Sequence, residues 1–288
     1  MGLQCFFVSD LHGSVHRYES LLSRMREEQP DALFLGGDLL PGFSSLPHSD
    51  DAPTGDFLRD YLIPALQRLH SDMEARYPEV FVIMGNDDGR AAESVVLEAE
   101  EQGLWRYAHD RRHSWRGWEV YGYAYVPPTP FLLKDWERYD VSRYVPPGSV
   151  PPEEGGRSFL VPENQILYTT ISDDLRRLAE AMDPTRTIFL FHTPPYQTRL
   201  DRAALDGKQI DHVPLDVHVG SIAVSRFIEE RQPRITLHGH IHESSRLTGA
   251  WSDRLGNTTA FNAAHDGPEL ALIRFDPARP ESARRQLL

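Results

Sequence analysis

Cysteine is almost missing from this chain of 288 residues, and with Cys5 alone no internal disulfide can form. A chain of this length must then be held by an apolar core, and the 40% hydrophobic content is ordinary for that purpose. The lone thiol suits a reducing compartment, and between Gln4 and Phe6-Phe7-Val8 it reads as a small buried hydrophobe of a first strand. Positive charge is also short: 30 Lys and Arg stand against 43 Asp and Glu, a net −13. Such a balance repels a nucleic-acid backbone at long range, so a long nucleic acid is not the expected partner. No apolar run approaches the roughly 20 residues a membrane helix requires, and no membrane partner is expected. The opening MGLQCFFVSD carries no basic region or long apolar stretch before a cleavage site, which disfavours a secretory signal. Phe6 stands where an N-myristoylation signal needs Ser or Thr. Cytoplasm is the expected compartment.

What is present alternates between short apolar runs and helix-period segments, the pattern of a layered α/β fold. Strands are expected at Cys5–Val8, Ala32–Leu35, Val80–Met84, Val120–Tyr125, Thr187–Phe191, Ile235–Leu237, Thr258–Phe261 and Leu270–Phe275. Tyr18, Leu21, Leu22 and Met25 mark a helix, as do the stretches from about Phe57 to Met73, Asp173 to Met182 and Ile222 to Ile228. Pro64 should start or kink the second of these. From Pro127 to Pro162 the texture changes to Pro, Gly and charge, too aperiodic for a core element. This segment is expected to be a long excursion near the mouth of a site, since structureless loops of that length are often functional. No internal repeat or linker divides the chain, so a single domain over 1–288 with this Pro-rich insertion is expected.

Thirteen histidines give the pattern its chemistry. Apolar runs end in Ser9-Asp10-Leu11-His12-Gly13, Gly36-Gly37-Asp38, Gly85-Asn86-Asp87-Asp88, His192-Thr193-Pro194-Pro195 and His238-Gly239-His240-Ile241-His242. In open α/β sheets ligands bind beyond the carboxyl ends of strands, so these groups are expected to point into one cavity. In Asp10-Leu11-His12 the alternation of an extended chain puts both side chains on one face. Two glycines before Asp38 permit a sharp turn and close approach, and a carboxylate has two oxygens with which to bridge two cations. Gly239 allows a similar turn before His240 and His242. Carboxylates, imidazoles and one amide together suit Mn, Fe, Zn or Co better than Ca or Mg.

The order D-x-H, G-D, G-N, H and G-H-x-H, spread over nearly the whole chain, resembles the signature of calcineurin-like metallophosphoesterases. The stretches PPYQTRLD, HVGS and GHIHES are similar to a bacterial branch of uncharacterised members. The resemblance implies a two-sheet β-sandwich flanked by helices, a four-layer α/β/β/α arrangement with a two-metal centre at one edge. It assigns Asp10, His12 and His242 to one metal, Asn86, His192 and His240 to the other, and Asp38 to both. His238 is not a ligand in that scheme and is left as a supporting residue. The implied reaction is in-line attack on phosphorus by a hydroxide shared between two metals.

One position departs from the family pattern. The histidine that commonly follows the asparagine, where it contacts phosphate, is here Asp87. A carboxylate facing a phosphate dianion is repelled, and a phosphodiester carries one charge fewer. A phosphodiesterase acting on a small, nucleotide-like ester is therefore the leading expectation. The alternatives are a phosphomonoesterase or protein phosphatase, which Asp87 disfavours, and a non-catalytic scaffold, which the complete ligand set disfavours. His218, ahead of an expected helix, is a candidate proton donor. Arg90 is a candidate phosphate contact, and His265 and Asp266 receive no role.

Overall fold

The computed structural model describes residues 2–42 and 55–288. Two six-stranded mixed sheets pack face to face with helices on their outer sides, the α/β sandwich expected. In the first sheet the order is β14-β13-β1-β2-β3-β4, with β1 Cys5–Val8, β2 Ala32–Gly36, β3 Glu79–Ile83, β4 Arg106–Tyr107, β13 Ala271–Phe275 and β14 Arg284–Leu287. The second runs β11-β12-β10-β7-β6-β5, with β5 Arg111–Trp115, β6 Trp118–Tyr123, β7 Thr187–Phe191, β10 Ile235–His238, β11 Ser252–Leu255 and β12 Thr258–Asn262. A two-residue pair, β8 Gln209–Ile210 and β9 Val213–Pro214, lies outside both.

Strands β1, β2 and β3 pair in parallel, as do β6, β7, β10 and β12. Parallel strands are covered on both faces, which is why their sequences read as unbroken apolar runs rather than alternations. Facing side chains make the core. Phe189 stacks on Tyr121 at 5.2 Å and on Phe191 at 4.4 Å, and meets Phe227 edge-on at 5.0 Å.

The helices follow local signals. Helix α1, Val15–Glu28, is capped by Ser14 and buries Tyr18, Leu21, Leu22 and Met25. Helix α2, Ile63–Met73, is preceded by a widened π-helical turn at Leu58–Leu62. Pro64 has no N–H to return to the preceding turn, so the wider turn is the form in which the helix passes it. Helices α3 Glu93–Glu101, α4 Glu163–Tyr168, α5 Ile171–Leu178, α6 Ile222–Arg231 and α7 Ser244–Thr248 complete the set. Among the described residues no helix is long and apolar enough to cross a membrane.

The Pro-rich segment 127–162 differs from expectation in one respect. It is not excluded from the core: Trp136 is fully buried in the main hydrophobic cluster, beside Lys134, Asp135 and Glu137. Lys134 Nζ sits 2.6 Å from the Glu137 carboxylate and donates to the Thr129 carbonyl, and Glu137 also accepts from Thr129. Burial pushes the Glu137 carboxyl up to about 7, against the pull of Lys134. Asp135 accepts from the backbone of Arg90 and of Ser158, and Asp140 accepts from Ser221, Ile222 and Ala223 at the start of α6. Polar bonds of this kind carry no hydrophobic period.

Replacing Phe189 by alanine removes the centre of the aromatic stack between β6, β7 and α6. The expected cost is about 3–5 kcal/mol of unfolding free energy, read from the denaturant midpoint at constant m. A loss below about 1 kcal/mol would mean that the stack relaxes into the gap.

Candidate metal centre

All the ligand-type residues singled out in the sequence lie at the carboxyl ends of parallel strands. Asp10 and His12 follow β1, Asp38 follows β2, Asn86 follows β3, His192 follows β7, and His240 and His242 follow β10. The first three strands belong to one sheet and the last two to the other, so the centre straddles the sandwich edge.

Two groups form there. Asp10, His12, Asp38 and His242 bring ligand atoms within 4.8 Å of one another, and so do Asp38, His192 and His240. Asp38 belongs to both. His12 Nε2 and His242 Nε2 face each other at 3.2 Å, and His242 Nε2 lies 3.0 Å from Asp10 Oδ1. His192 Nε2 is 3.3 Å from Asp38 Oδ2 and 3.1 Å from Asn86 Oδ1. Acceptor atoms crowded in this way need shared protons or cations between them, so the donor set fits two metal ions.

The electrostatics agree with the geometry. Burial works against the Asp10 carboxylate, yet its bond from His242 and the nearby imidazoles hold its pKa well below the usual range. Burial likewise opposes charge on His192, but Asp38 and Asp10 raise it to about 10. His240, half-buried beside His192, is instead pushed down to about 3 by desolvation and that neighbour's charge and stays neutral, the form in which an imidazole binds metal. A cation at the centre would replace the proton that His192 otherwise keeps.

Supporting bonds aim the ligands. His192 Nδ1 lies 2.8 Å from the Gly36 carbonyl, which fixes the ring with Nε2 toward Asp38. The Asp10 carboxylate accepts from the His240 backbone at 3.0 Å. Asp10, His12, Asp38 and His240 all take left-handed backbone, with φ of 58°, 46°, 50° and 69°. Non-glycine residues rarely hold that conformation unless their surroundings enforce it, and such strain gathers at functional sites. A Cβ on Gly85 would strike Asp38, and one on Gly239 would strike Ser9 and Asp10.

Two supports were not legible beforehand. Asp88 is fully buried and accepts from the backbone of Leu39, Leu40 and Gly85, tying the Asp38 loop to the Asn86 loop. Burial and the charge of Asp38 push its carboxyl up to about 7. Arg17 bonds to the carbonyls of Asp10 at 2.6 Å and Pro268 at 3.3 Å. The repeated acid in Gly85-Asn86-Asp87-Asp88 was a signal for the first. A basic residue in the first turn of a helix looks in sequence like any solvated charge.

The remaining candidates are placed as follows. Asp87 donates its backbone N–H to Asp38 Oδ1 at 2.8 Å, and its carboxylate lies 3.5 Å from His12 Nδ1. Burial and Asp38 raise the Asp87 carboxyl above its ordinary value in the metal-free chain. His238 is buried, stacked on Phe191, with its ring nitrogens 2.9 Å from the Thr193 carbonyl and 2.8 Å from Thr236 Oγ1. His218 Nδ1 lies 2.8 Å from Asp201 Oδ1. Arg90 is not poised for phosphate: it is bonded to Glu93 and Tyr125, and its guanidinium lies over the Trp136 and Phe159 rings.

The profile of the calcineurin-like phosphoesterases matches residues 4–244, and the chain belongs to that family. No curated protein sequence matches it. Among solved structures it is similar to TT1561 of Thermus thermophilus, with 18% identity and a TM-score of 0.59 over 100% of this chain and 99% of that one. It is also similar to the phosphopantetheinyl hydrolase PptH from Mycobacterium tuberculosis, with 12% identity and a TM-score of 0.53 over 99% and 96%. At these identities the likeness is one of fold. The family depends on two metal ions, and the two residue groups around Asp38 supply matching sites.

Elemental analysis of the reconstituted protein should approach two metal equivalents, and Asp38→Ala should reduce occupancy at both sites. One tight metal in the wild type would contradict the shared role of Asp38. A subtler probe is Gly239→Ala, which alters no ligand but presses on Asp10. Metal content should fall there too, while full occupancy would show that the Asp10 loop yields.

Proposed function

We propose that this member of the family is a phosphodiesterase for small, nucleotide-like esters. The observation that carries this reading is Asp87 at the edge of the metal groups, its carboxylate 3.5 Å from His12. Asp10, His12 and His242 would hold one metal and Asn86, His192 and His240 the other, with Asp38 common to both; Mn, Fe and Zn suit the donors. Two ions bound there would activate a water and neutralise charge building on phosphorus. The amide nitrogen of Asn86, whose oxygen faces His192 at 3.1 Å, is left to donate to a phosphate oxygen.

Asp87 does two things in this scheme. Its carboxylate lies at ion-pair distance, 3.5 Å, from His12 Nδ1 and favours a proton on that nitrogen, which leaves Nε2 toward the metal groups. Its charge also disfavours a second anionic oxygen on the substrate, which a monoester has and a diester lacks. A phosphomonoesterase reading would require that charge to be neutralised.

His218 is the proton donor of the proposal, with Asp201 behind it. Asp201 is fully buried and accepts from the backbone of Gln197, Thr198 and Gly220 as well as from His218 Nδ1. This leaves Nε2 of a part-exposed ring to act on the departing oxygen. The loop leaves the sheet just after His192 and returns beside it, since Ser221 N donates to the Pro194 carbonyl at 2.9 Å.

The test compares kcat/KM for an aryl diester and its matching monoester. The wild type should favour the diester, and Asp87→His should move the ratio toward the monoester by at least about tenfold, a histidine proton donor being worth about 10²–10⁴-fold. A ratio unchanged within about twofold removes Asp87 as the discriminator. His218→Gln should lower kcat with little change in KM, and esters with poor leaving groups should suffer most. Equal losses for good and poor leaving groups would exclude His218 as the donor.

A further inference from the structure

Asn86 stands in a loop that its own sequence does not hold in place. The loop leaves β3 and enters a 3₁₀ turn at Arg90–Ala92 that runs into α3, and Gly89, which opens this turn, has no side chain with which to cap it. The first N–H groups of a helix lack partners within it and need acceptors from elsewhere. Here the acceptors come from the Pro-rich segment. Asp135 Oδ2 accepts from Arg90 N at 2.7 Å, and Ser158 Oγ accepts from Ala91 N at 2.9 Å. Ser158 in turn donates its N–H to Asp135 Oδ1 at 2.9 Å and its hydroxyl to Oδ2. Two successive peptide groups just past the Asn86 loop are thereby tied to one carboxylate.

Asp135 is fully buried, and its bonds are to peptide and hydroxyl donors rather than to a cation. A buried charge is kept only where fixed donors offset its loss of water, so carboxylate and donors hold one another in a single arrangement. A negative charge at a helix start also meets the positive end of the helix dipole. The Arg90 side chain closes the junction: its guanidinium lies 5.1 Å from the Trp136 ring and 5.7 Å from the Phe159 ring, the residues next to Asp135 and Ser158. The Asn86 loop is thus braced at both ends, by Asp88 at Gly85 and by Asp135 at Arg90.

We propose that Asp135 is a positioning residue for the metal site that includes Asn86, acting through the backbone of Arg90 and Ala91. The proposal rests on the two-metal reading of the centre and ties the Pro-rich segment to one ion rather than to both. The bonds of Asp135 and Ser158 reach the loop after β3, not the loops after β1 and β10 that carry Asp10, His12 and His242. Asn86 is also the member of its group most dependent on such support. A neutral amide oxygen attracts a cation less than a carboxylate does, so its share of the binding depends on being held at the right distance.

Two measurements on Asp135→Ala and Ser158→Ala test this; Ser158 is exposed, which keeps the test open if the change at Asp135 impairs folding. The first needs no metal. Amide hydrogen exchange over residues 85–92 of the metal-free protein should quicken, by about tenfold in Asp135→Ala, while residues 8–13 stay as in the wild type. Unchanged exchange over 85–92 in both variants overturns the proposal. The second measurement titrates each protein with Mn²⁺ by calorimetry. Asp135→Ala should weaken, by about tenfold, the same binding step that Asn86→Ala weakens, and Ser158→Ala by about threefold, at or below the low end of what supports behind metal ligands are worth. Phe189→Ala, which damages the core and leaves the clamp intact, should weaken both steps together. If Asp135→Ala does the same, its role is merely structural and the proposal fails. A wild type that takes up fewer than two Mn²⁺ counts against the two-metal reading, and the exchange measurement then decides the role of Asp135 by itself.

Discussion

Two buried carboxylates, Asp10 and Asp38, face a ring of imidazoles where almost no water can reach them. Charges taken out of water in this way are tolerable only when others compensate them within a few ångströms. Much of the local architecture follows from that condition. The glycines at 37, 85 and 239 let backbone and side chains approach without a Cβ between them. The left-handed backbone at Asp10, His12, Asp38 and His240 turns each ligand inward. Asp88 and Arg17 then hold the loops in shapes that they would not keep alone.

The inner strands were legible in the sequence because burial on both faces writes itself as unbroken apolar runs. Apart from the small β8–β9 pair, the strands that escaped notice are the sheet margins: β4 and β14 in one sheet, β5 and β11 in the other. Arg111–Trp115 and Arg284–Leu287 expose most of their residues and are rich in arginine. Edge strands carry charge to discourage pairing with other chains, and charge erases the apolar signal by which strands are found. Helix α3 escaped for a related reason, since its inward face is only Val95, Val96 and Ala99.

The residues that gather at the candidate centre were readable because each follows closely on an apolar run, so adjacency in sequence and position in space coincide. Pairs that form only in space are harder to see. Asp201 and His218 are 17 positions apart and meet only because their loop folds back on itself. Arg90 shows the converse: its place just after the Asn86 loop suggested phosphate, but Trp136 and Tyr125 from distant segments had already engaged it. The aromatic partners, not the neighbouring sequence, decide what that guanidinium does.

The candidate centre gathers its residues from both sheets, and Asp10 and His242 are 232 positions apart. A chain emerging from the ribosome thus holds the first sheet's ligands long before it can complete either ion-binding group. Coordination must come late in folding, after the two layers have met, because closing so long a loop costs entropy that only the formed sandwich offsets. Once bound, the ions clamp one layer to the other as a rivet joins two plates. Occupancy and layer packing are then linked, so that damage to the interlayer core far from the centre loosens the ions, and bound ions resist parting of the layers.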